Sequence, residues 1–492
     1  MSASSETRHG LLIGGEEIPG ARGESRTLVD PSTNSPLATV AMGGPDDARH
    51  AMEVAEKAFR ESGWAGDDGA RRAKALQKLA QLIEADADAL ARLETRNMGK
   101  TLRESKGDLG FVVRTFEYIA GLADKIQGET IPVVGSRLDY TLREPLGVTV
   151  HIAPWNYPLL LAMRSVAPAL AAGNAVVLKP ASLTPLTALA LGRLAKAAGL
   201  PPGILNVVPG NGSEVGEALV ADPRCASVSF TGSGEVGERI AAIAARRVIP
   251  ATLELGGKSP VIVFPDADLD RAAKGIGFGV FGNAGQMCWA ASRLVVHESV
   301  RAALLEKVKA VAEATKIGPG LDDGVEMGPL VSKEHAGHVL EYVEVARADG
   351  GQVVTGGTKA PGDRLAAGNF VLPTVLTDVP TTSRAVREEI FGPVLSTFSF
   401  TDPEEAIRIA NDTRYGLFAA LWTRDLGTAH SVARRLEAGM VTVNEAPTSF
   451  PQTPFGGFKE SGIGFEQGVR VVENYTRRKN VLVNLGAPRK KG

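Results

Sequence analysis

The stretch ASVSFTGSGEVGERIAAIAA at 226–245 decides the fold. A run of β-branched and aromatic residues ends at Phe230 and Thr231. Three glycines follow in the order G-x-G-x-x-G (Gly232, Gly234 and Gly237), and an alanine-rich segment with helical spacing takes over. A tight turn of this kind lets phosphate oxygens approach the backbone N–H groups at a helix start. Among 56 glycines the motif alone is weak; its place between a strand and a helix makes it a candidate dinucleotide loop. Glu254, about twenty residues on, has the offset of a ribose-binding acid. That reading competes with a catalytic one, which we prefer.

The same rhythm extends on both sides. VTVHIA (148–153), AVVLKP (175–180), ILNVVPG (204–210) and ATLELGG (251–257) are short β-rich runs separated by helix-like segments. Strand, crossover and strand in this order predict a parallel sheet with helices on both faces, and ligands at its carboxyl edge. A second series begins at PVIVF (260–264) and continues through SRLVVHE (292–298), LSTFSF (395–400), LFAALWT (417–423) and GMVTVN (439–444), predicting another α/β domain. Residues 46–126 read as helix, with Pro45 in a first-turn position. Leu76, Leu79, Leu82, Ile83, Leu90 and Leu93 recur at three- and four-residue steps. SRLDYTLRE (136–144) and KNVLVNL (479–485) read as strand.

Bulk properties narrow the function. With 492 residues the chain is long enough for two or more cores; 44% hydrophobic and 22% charged residues are ordinary for a globular protein. A net charge of −2 gives no reason to expect nucleic acid or anionic lipid as a partner, and the tail cations Arg489, Lys490 and Lys491 read as solvated. Two cysteines, Cys225 and Cys288, make neither a disulfide framework nor a zinc site, and no metal is expected. The polar N-terminus lacks a secretory pattern, and no apolar run reaches the ~18 residues a membrane span needs. A cytoplasmic protein is expected.

Three side chains carry candidate chemistry. Cys288 lies among small residues in FGNAGQMCWAASR, where it is either an inert buried thiol or an accessible nucleophile. Cys225 keeps the inert reading. Glu254, in LELGGKSP, is either solvated at a strand end or half-buried as a general base. Asn156, between two prolines in APWNYP, either caps the following helix or donates to a developing oxyanion.

With these residues in view, the chain resembles the aldehyde dehydrogenase superfamily from about residue 10 to 485. The resemblance rests on PWNYP (154–158), KPAS (179–182), FTGSGEVG (230–237) and LELGGKSP (253–260). It continues through NAGQMCWAASR (283–293), EEIFGPV (388–394) and PFGGFKESG (454–462). It implies an α/β fold with a Rossmann-like dinucleotide-binding domain (1–126 and 146–256), an α/β catalytic domain (257–465) and a small β oligomerisation element (127–145 and 466–492). It also implies a homodimer or homotetramer. By the same resemblance Cys288 is the nucleophile, Glu254 the base for the deacylating water, and Asn156 an oxyanion donor. NAD or NADP would be held by Trp155, Lys179, Ser182, Gly212, Gly232, Ser233, Gly237, Leu255, Glu389 and Phe391. Tyr157, Arg164, Trp289, Phe450 and Phe455 would line the substrate tunnel, whose aromatic members favour an apolar or aromatic aldehyde.

The chain departs from the family pattern in three places. Ser182 stands where many NAD-selective members have Glu, which removes a carboxylate that would repel a 2′-phosphate, so NADP is expected to be usable. Phe465 stands where an Arg is common. Arg164 resembles the carboxylate clamp of semialdehyde-oxidising relatives, yet Phe281, Gly282 and Asn283 lack the second Arg such relatives use. Benzaldehyde-type members share RSVAPALA (164–171). A semialdehyde dehydrogenase is therefore the alternative substrate reading. A CoA-acylating enzyme and a non-catalytic binding protein on the same fold are the alternatives of other kinds.

Overall fold

The computed structural model describes residues 7–66 and 68–486; the tail cations Arg489, Lys490 and Lys491 lie outside the described residues. Among the described residues the strands form two large sheets. The first, of eight strands, has a parallel centre of Ala251–Glu254, Cys225–Thr231, Val148–Ile152, Ala175–Lys179 and Leu205–Val207. Antiparallel edges complete it: Gly462–Ile463 on one side, Leu11–Ile13 and Glu16–Ile18 on the other. Every residue of Val148–Ile152 and Ala175–Lys179 is buried, because helices cover both faces. This is why these strands read as continuous apolar runs.

Helices cover this sheet for identifiable reasons. Pro45–Glu61 opens on a first-turn proline, and Asp47 accepts from the Gly44 N–H. Gly69–Ala85 buries Leu76, Leu79, Ala80 and Ile83 along one stripe, as the three- and four-residue spacing predicts. Leu102–Ala120 begins with a reciprocal cap between Thr101 and Glu104. The helix Pro158–Ala171 is buried almost all round, so its side chains are core on one side and site on the other.

The second sheet has seven strands in the order Gln352–Thr355, Thr374–Thr377, Val394–Phe400, Arg293–His297, Pro260–Val263, Phe418–Trp422 and Met440–Val443. Only Gln352–Thr355 runs antiparallel to its neighbour. The period-two alternation of strands divides its side chains between two cores. Val261, Val263, Leu294, Val296, Phe418 and Ala420 enter one. Ile262, Val295, Ala419 and Leu421 enter the other.

A third, antiparallel sheet of Thr476–Asn484, Arg137–Pro145 and Thr130–Ile131 projects from the body and exposes Val134, Leu138, Leu142, Leu482 and Leu485. It starts only at Thr476: Val471, Val472 and Tyr475 belong to the first core, and Gly462–Ile463 pairs with Ala251–Glu254. The segment 462–475 thus packs with the first sheet and its core. Among the described residues no helix is long and apolar enough to cross a membrane.

Candidate active site

The carboxyl edge of the first sheet faces the second domain, and the chemically unusual residues meet there. Glu254 ends its strand paired with Thr231 on one side and Gly462 on the other. Its side chain is buried, and neither carboxylate oxygen has a protein partner. Burial, followed by the neighbouring Glu466 carboxylate, pushes its pKa well above the usual range, while Arg164 pulls the other way. The two glycines after it are required by what lies against them. A Cβ on Gly256 would sit 2.2 Å from Glu389 Oε2, and one on Gly257 would sit 2.4 Å from the Cys288 carbonyl oxygen. These glycines let the Glu254 strand end, the cysteine loop and Glu389 converge.

Cys288 keeps partial solvent access, whereas Cys225 is buried. The loop before Cys288 runs through three successive left-handed residues, Asn283, Ala284 and Gly285 (φ 47°, 53° and 73°). For the two non-glycine residues this conformation costs about 1–2 kcal/mol each, and a dense set of hydrogen bonds holds it. The Asn283 N–H donates to Glu104 Oε1 (2.7 Å) and Gln286 Nε2 donates to the Asn283 carbonyl (2.9 Å). The Val331 N–H donates to Gln286 Oε1 (2.9 Å). Gly285 packs where a Cβ would meet the Gly392 carbonyl at 2.1 Å, bringing the cysteine loop against Phe391 and Gly392.

Asn156 is not a helix cap: the helix starts at Pro158 after Tyr157. Its amide donates instead to the Gln286 carbonyl (3.0 Å) in the cysteine loop. An amide nitrogen carries two N–H groups, so one anchors the loop and one remains for an oxyanion. Burial pushes the Cys288 thiol up to about 12; Arg164 is the main opposing influence, and Glu389 and Glu254 reinforce the rise.

Several residues expected at a dinucleotide follow the carboxyl ends of first-sheet strands, among them Trp155, Lys179, Gly232 and Leu255. The helix Gly234–Arg247 starts after Ser233, and Gly237 has the leucine side chain of Leu255 where its Cβ would be (2.4 Å). The N–H groups of a first helical turn lack intrahelical partners, which suits a pyrophosphate. Lys179 is buried with its Nζ donating to the Pro180 carbonyl (3.0 Å), and burial lowers it to about 8. Ser182 is half-buried nearby, and Gly212 begins the π-turn Gly212–Gly216, whose last glycine packs on Lys179. Glu389 accepts from the Gly257 N–H (3.0 Å), and burial raises it to about 7. Trp155 meets Phe391 edge-on at 5.2 Å. These features fit a nicotinamide dinucleotide.

Tyr157 lines a cavity of about 600 Å³ with Phe281, Met287, Phe278, Glu104 and Asp108. Trp289 and Phe455 pack edge-on at 5.4 Å. Phe450 is exposed and does not line that cavity. Arg164 differs from its expected use. Its Nε lies 2.9 Å from Glu466 Oε2 at an angle that makes this a charge contact, not an aligned hydrogen bond, and both residues are buried. The guanidinium stacks 3.7 Å over the Phe455 ring. A substrate carboxylate would share this guanidinium with Glu466, and the buried Arg164 Nη2 has no hydrogen-bond partner.

Three features went unnoticed in the sequence. Glu466 is one, although a lone acid in GIGFEQGV was a signal. His335 is another: its Nε2 contacts the Phe391 carbonyl (2.7 Å) and its ring meets Trp155 at 5.2 Å. Phe391 has a left-handed backbone (φ 58°), so this contact helps fix an unusual turn at the cofactor side. The buried pair Lys100–Asp108 (2.6 Å), with Lys100 over the Tyr157 ring at 3.7 Å, is the third.

A family model described as the aldehyde dehydrogenase family matches residues 19–481. The chain belongs to the aldehyde dehydrogenase family. It is 42% identical to a hydroxyisobutyraldehyde dehydrogenase of Mycolicibacterium austroafricanum, covering 99% of this chain and 96% of the relative. It is 43% identical to a phenylacetaldehyde dehydrogenase of Pseudomonas fluorescens, covering 96% of each. Among solved structures, a betaine aldehyde dehydrogenase of Staphylococcus aureus in complex with NAD+ superposes with a TM-score of 0.96 at 39% identity, covering 98% of this chain and 95% of that one. This aldehyde dehydrogenase is therefore an oxidoreductase that uses a nicotinamide cofactor, and the family's α/β fold is the one described above.

Proposed function

We propose that the enzyme oxidises a neutral, apolar or aromatic aldehyde to its acid through a thioester on Cys288 that water, activated by Glu254, hydrolyses. The observation that carries this reading is Glu254 itself: a buried carboxylate with neither oxygen bonded to protein, at a strand end beside the cysteine loop. The thiolate of Cys288 adds to the aldehyde carbon, and the carbonyl electron pair moves onto oxygen, where the free N–H of Asn156 and the Cys288 backbone N–H receive it. When bound, the oxidised nicotinamide accepts the hydride that leaves this carbon. Glu254 then takes a proton from water as the water oxygen bonds to the thioester carbon, and collapse expels the Cys288 sulfur and frees the acid. Trp155, Lys179, Gly232, Ser233, Gly237, Leu255, Glu389 and Phe391 would hold the cofactor, with Ser182 and Gly212 at its adenosine end.

Aldehyde turnover with NAD+ or NADP+, with no acceleration by added CoA, tests the reading; CoA-dependent acyl transfer would overturn it. Asn156→Ala is expected to lower kcat by ~10²–10³-fold, the usual cost of one oxyanion donor. The cavity also speaks to substrate charge. Its lining includes Glu104 and Asp108, and the Arg164 guanidinium already shares its charge with Glu466. Succinic semialdehyde should therefore be turned over at least tenfold less efficiently than benzaldehyde or phenylacetaldehyde in one panel.

Cofactor choice turns on Ser182 and Lys179. With serine in place of a carboxylate, NADP+ is expected to be usable. Lys179 holds its proton below about 8 and loses it above. The positive charge that favours a 2′-phosphate is thus present at the lower pH, and the NADP+ to NAD+ ratio of kcat/KM should fall as pH rises through that value. Ser182→Glu should lower the ratio by ten-fold or more at any pH; a wild-type KM for NADP+ hundreds of times that for NAD+ would contradict the assignment. The three-stranded sheet, with its exposed leucines and valines, is the proposed surface for homodimer or homotetramer assembly, and a cytoplasmic location is part of the same reading.

A further inference from the structure

The charge of Arg164 bears on four groups that take part in, or stand beside, the reaction. On its own helix it reaches back to no carboxylate. The four are Glu254 at the strand end, Glu466 in the 455–466 segment, Cys288 in the cysteine loop and Tyr475; the Phe455 ring under the guanidinium packs at 5.4 Å on Trp289, the residue after Cys288. Glu389 and Tyr157 complete the charged and titratable surroundings of Cys288. The holder of Arg164 is built by backbone pairing. Phe455 and Glu466 face each other across an isolated antiparallel bridge, N–H to carbonyl in both directions at 2.8 and 2.6 Å. This puts the ring on one side of the guanidinium and the carboxylate at its edge. Ser229 Oγ donates to the other Glu466 oxygen (3.2 Å), fixing that carboxylate from the sheet side. An arginine gripped in this way is held in one place by the ring and the carboxylate.

We propose that Arg164, gripped between Phe455 and Glu466, is a positioning residue whose fixed charge sets the ionisation of the Cys288 nucleophile and, through Glu466, of the Glu254 base. The proposal rests on Cys288 being the reacting sulfur. A nucleophilic sulfur buried among acids needs a cation to ionise, and Glu466 shares that cation with it. Glu466 therefore moderates the thiolate: the more negative charge Glu466 carries, the less of the Arg164 field is left for sulfur. Benefit passes the other way to Glu254, since an Arg164 that neutralises Glu466 removes a repulsion that keeps the base protonated.

The test is the pH dependence of Cys288 alkylation by iodoacetamide in the full-length enzyme without substrate, read by peptide mass spectrometry so that Cys225 is resolved separately. In Arg164→Gln the midpoint should rise by ~1–3 pH units, the range for losing an adjacent opposite charge, with at least tenfold slower alkylation at pH 7.5. Arg164→Lys should restore a large part of that loss, because the charge is kept while the flat stack on Phe455 is not. Glu466→Gln should move the midpoint the opposite way, below wild type, and it keeps the test open if Arg164→Gln fails to fold. Superimposable wild-type and Arg164→Gln profiles, or an upward shift in Glu466→Gln, would overturn the proposal. So would an unchanged profile with a selectively raised KM for succinic semialdehyde, which marks a substrate clamp. A wild-type enzyme in which Cys288 is never alkylated would instead overturn the nucleophile assignment beneath it.

Discussion

Cys288→Ala is expected to eliminate both the first-turnover burst of NAD(P)H and steady-state oxidation, by on the order of 10⁶-fold, the scale of losing a covalent nucleophile. The large size follows from the chemistry: without the sulfur no tetrahedral adduct forms from which hydride can leave, so the oxyanion donors and the cofactor surface have nothing to act on. Cys225→Ser provides the contrast. That thiol is buried, burial raises it to about 12, and its hydrogen bonds to the Ser227 carbonyl at 3.4 Å, on the far end of a strand whose other end carries the glycine loop. Its replacement should leave kcat within twofold and cost about 1 kcal/mol of stability. Equal losses in the two variants, measured by burst kinetics and thermal unfolding, would contradict the division of labour.

Glu254→Gln should separate the two half-reactions. A first turnover of NAD(P)H should persist, because sulfur addition and hydride departure do not use the base, while steady-state turnover drops by ~10²–10⁴-fold, the contribution of a positioned general base. The pH profile of the wild type follows from the same carboxylate. Its pKa is raised well above the ordinary range by burial and by Glu466. The base is therefore protonated and idle at the lower pH, and deacylation should accelerate as pH rises through its raised value. In Glu254→Gln this limb should vanish from the hydrolysis of a preformed thioester. A steady-state rate scarcely altered by the substitution would mean another group activates the water.

Much of this was readable before any coordinates, and the reason is local. Strands buried on both faces must be continuous apolar runs, so VTVHI and AVVLK announced a parallel sheet. Pro45 marked a helix start because a first-turn position needs no N–H donor. What escaped was set by contacts between distant segments. Nothing around Arg164 in sequence names Glu466, some three hundred residues away, so its guanidinium looked available. The cap reading of Asn156 stayed open beside the oxyanion one because its partner, the Gln286 carbonyl, lies 130 residues away in sequence. His335 is one polar residue on an amphipathic helix and has no local mark; only folding sets it against Trp155 and Phe391.

Mass spectrometry of Glu254→Gln, mixed with benzaldehyde and oxidised cofactor and quenched within the first turnovers, tests the central claim most directly. The expected result is an added acyl mass on the peptide holding Cys288, at near one equivalent, and none on the peptide holding Cys225. An enzyme that releases acid at the normal rate with no acyl mass at position 288 would contradict the account.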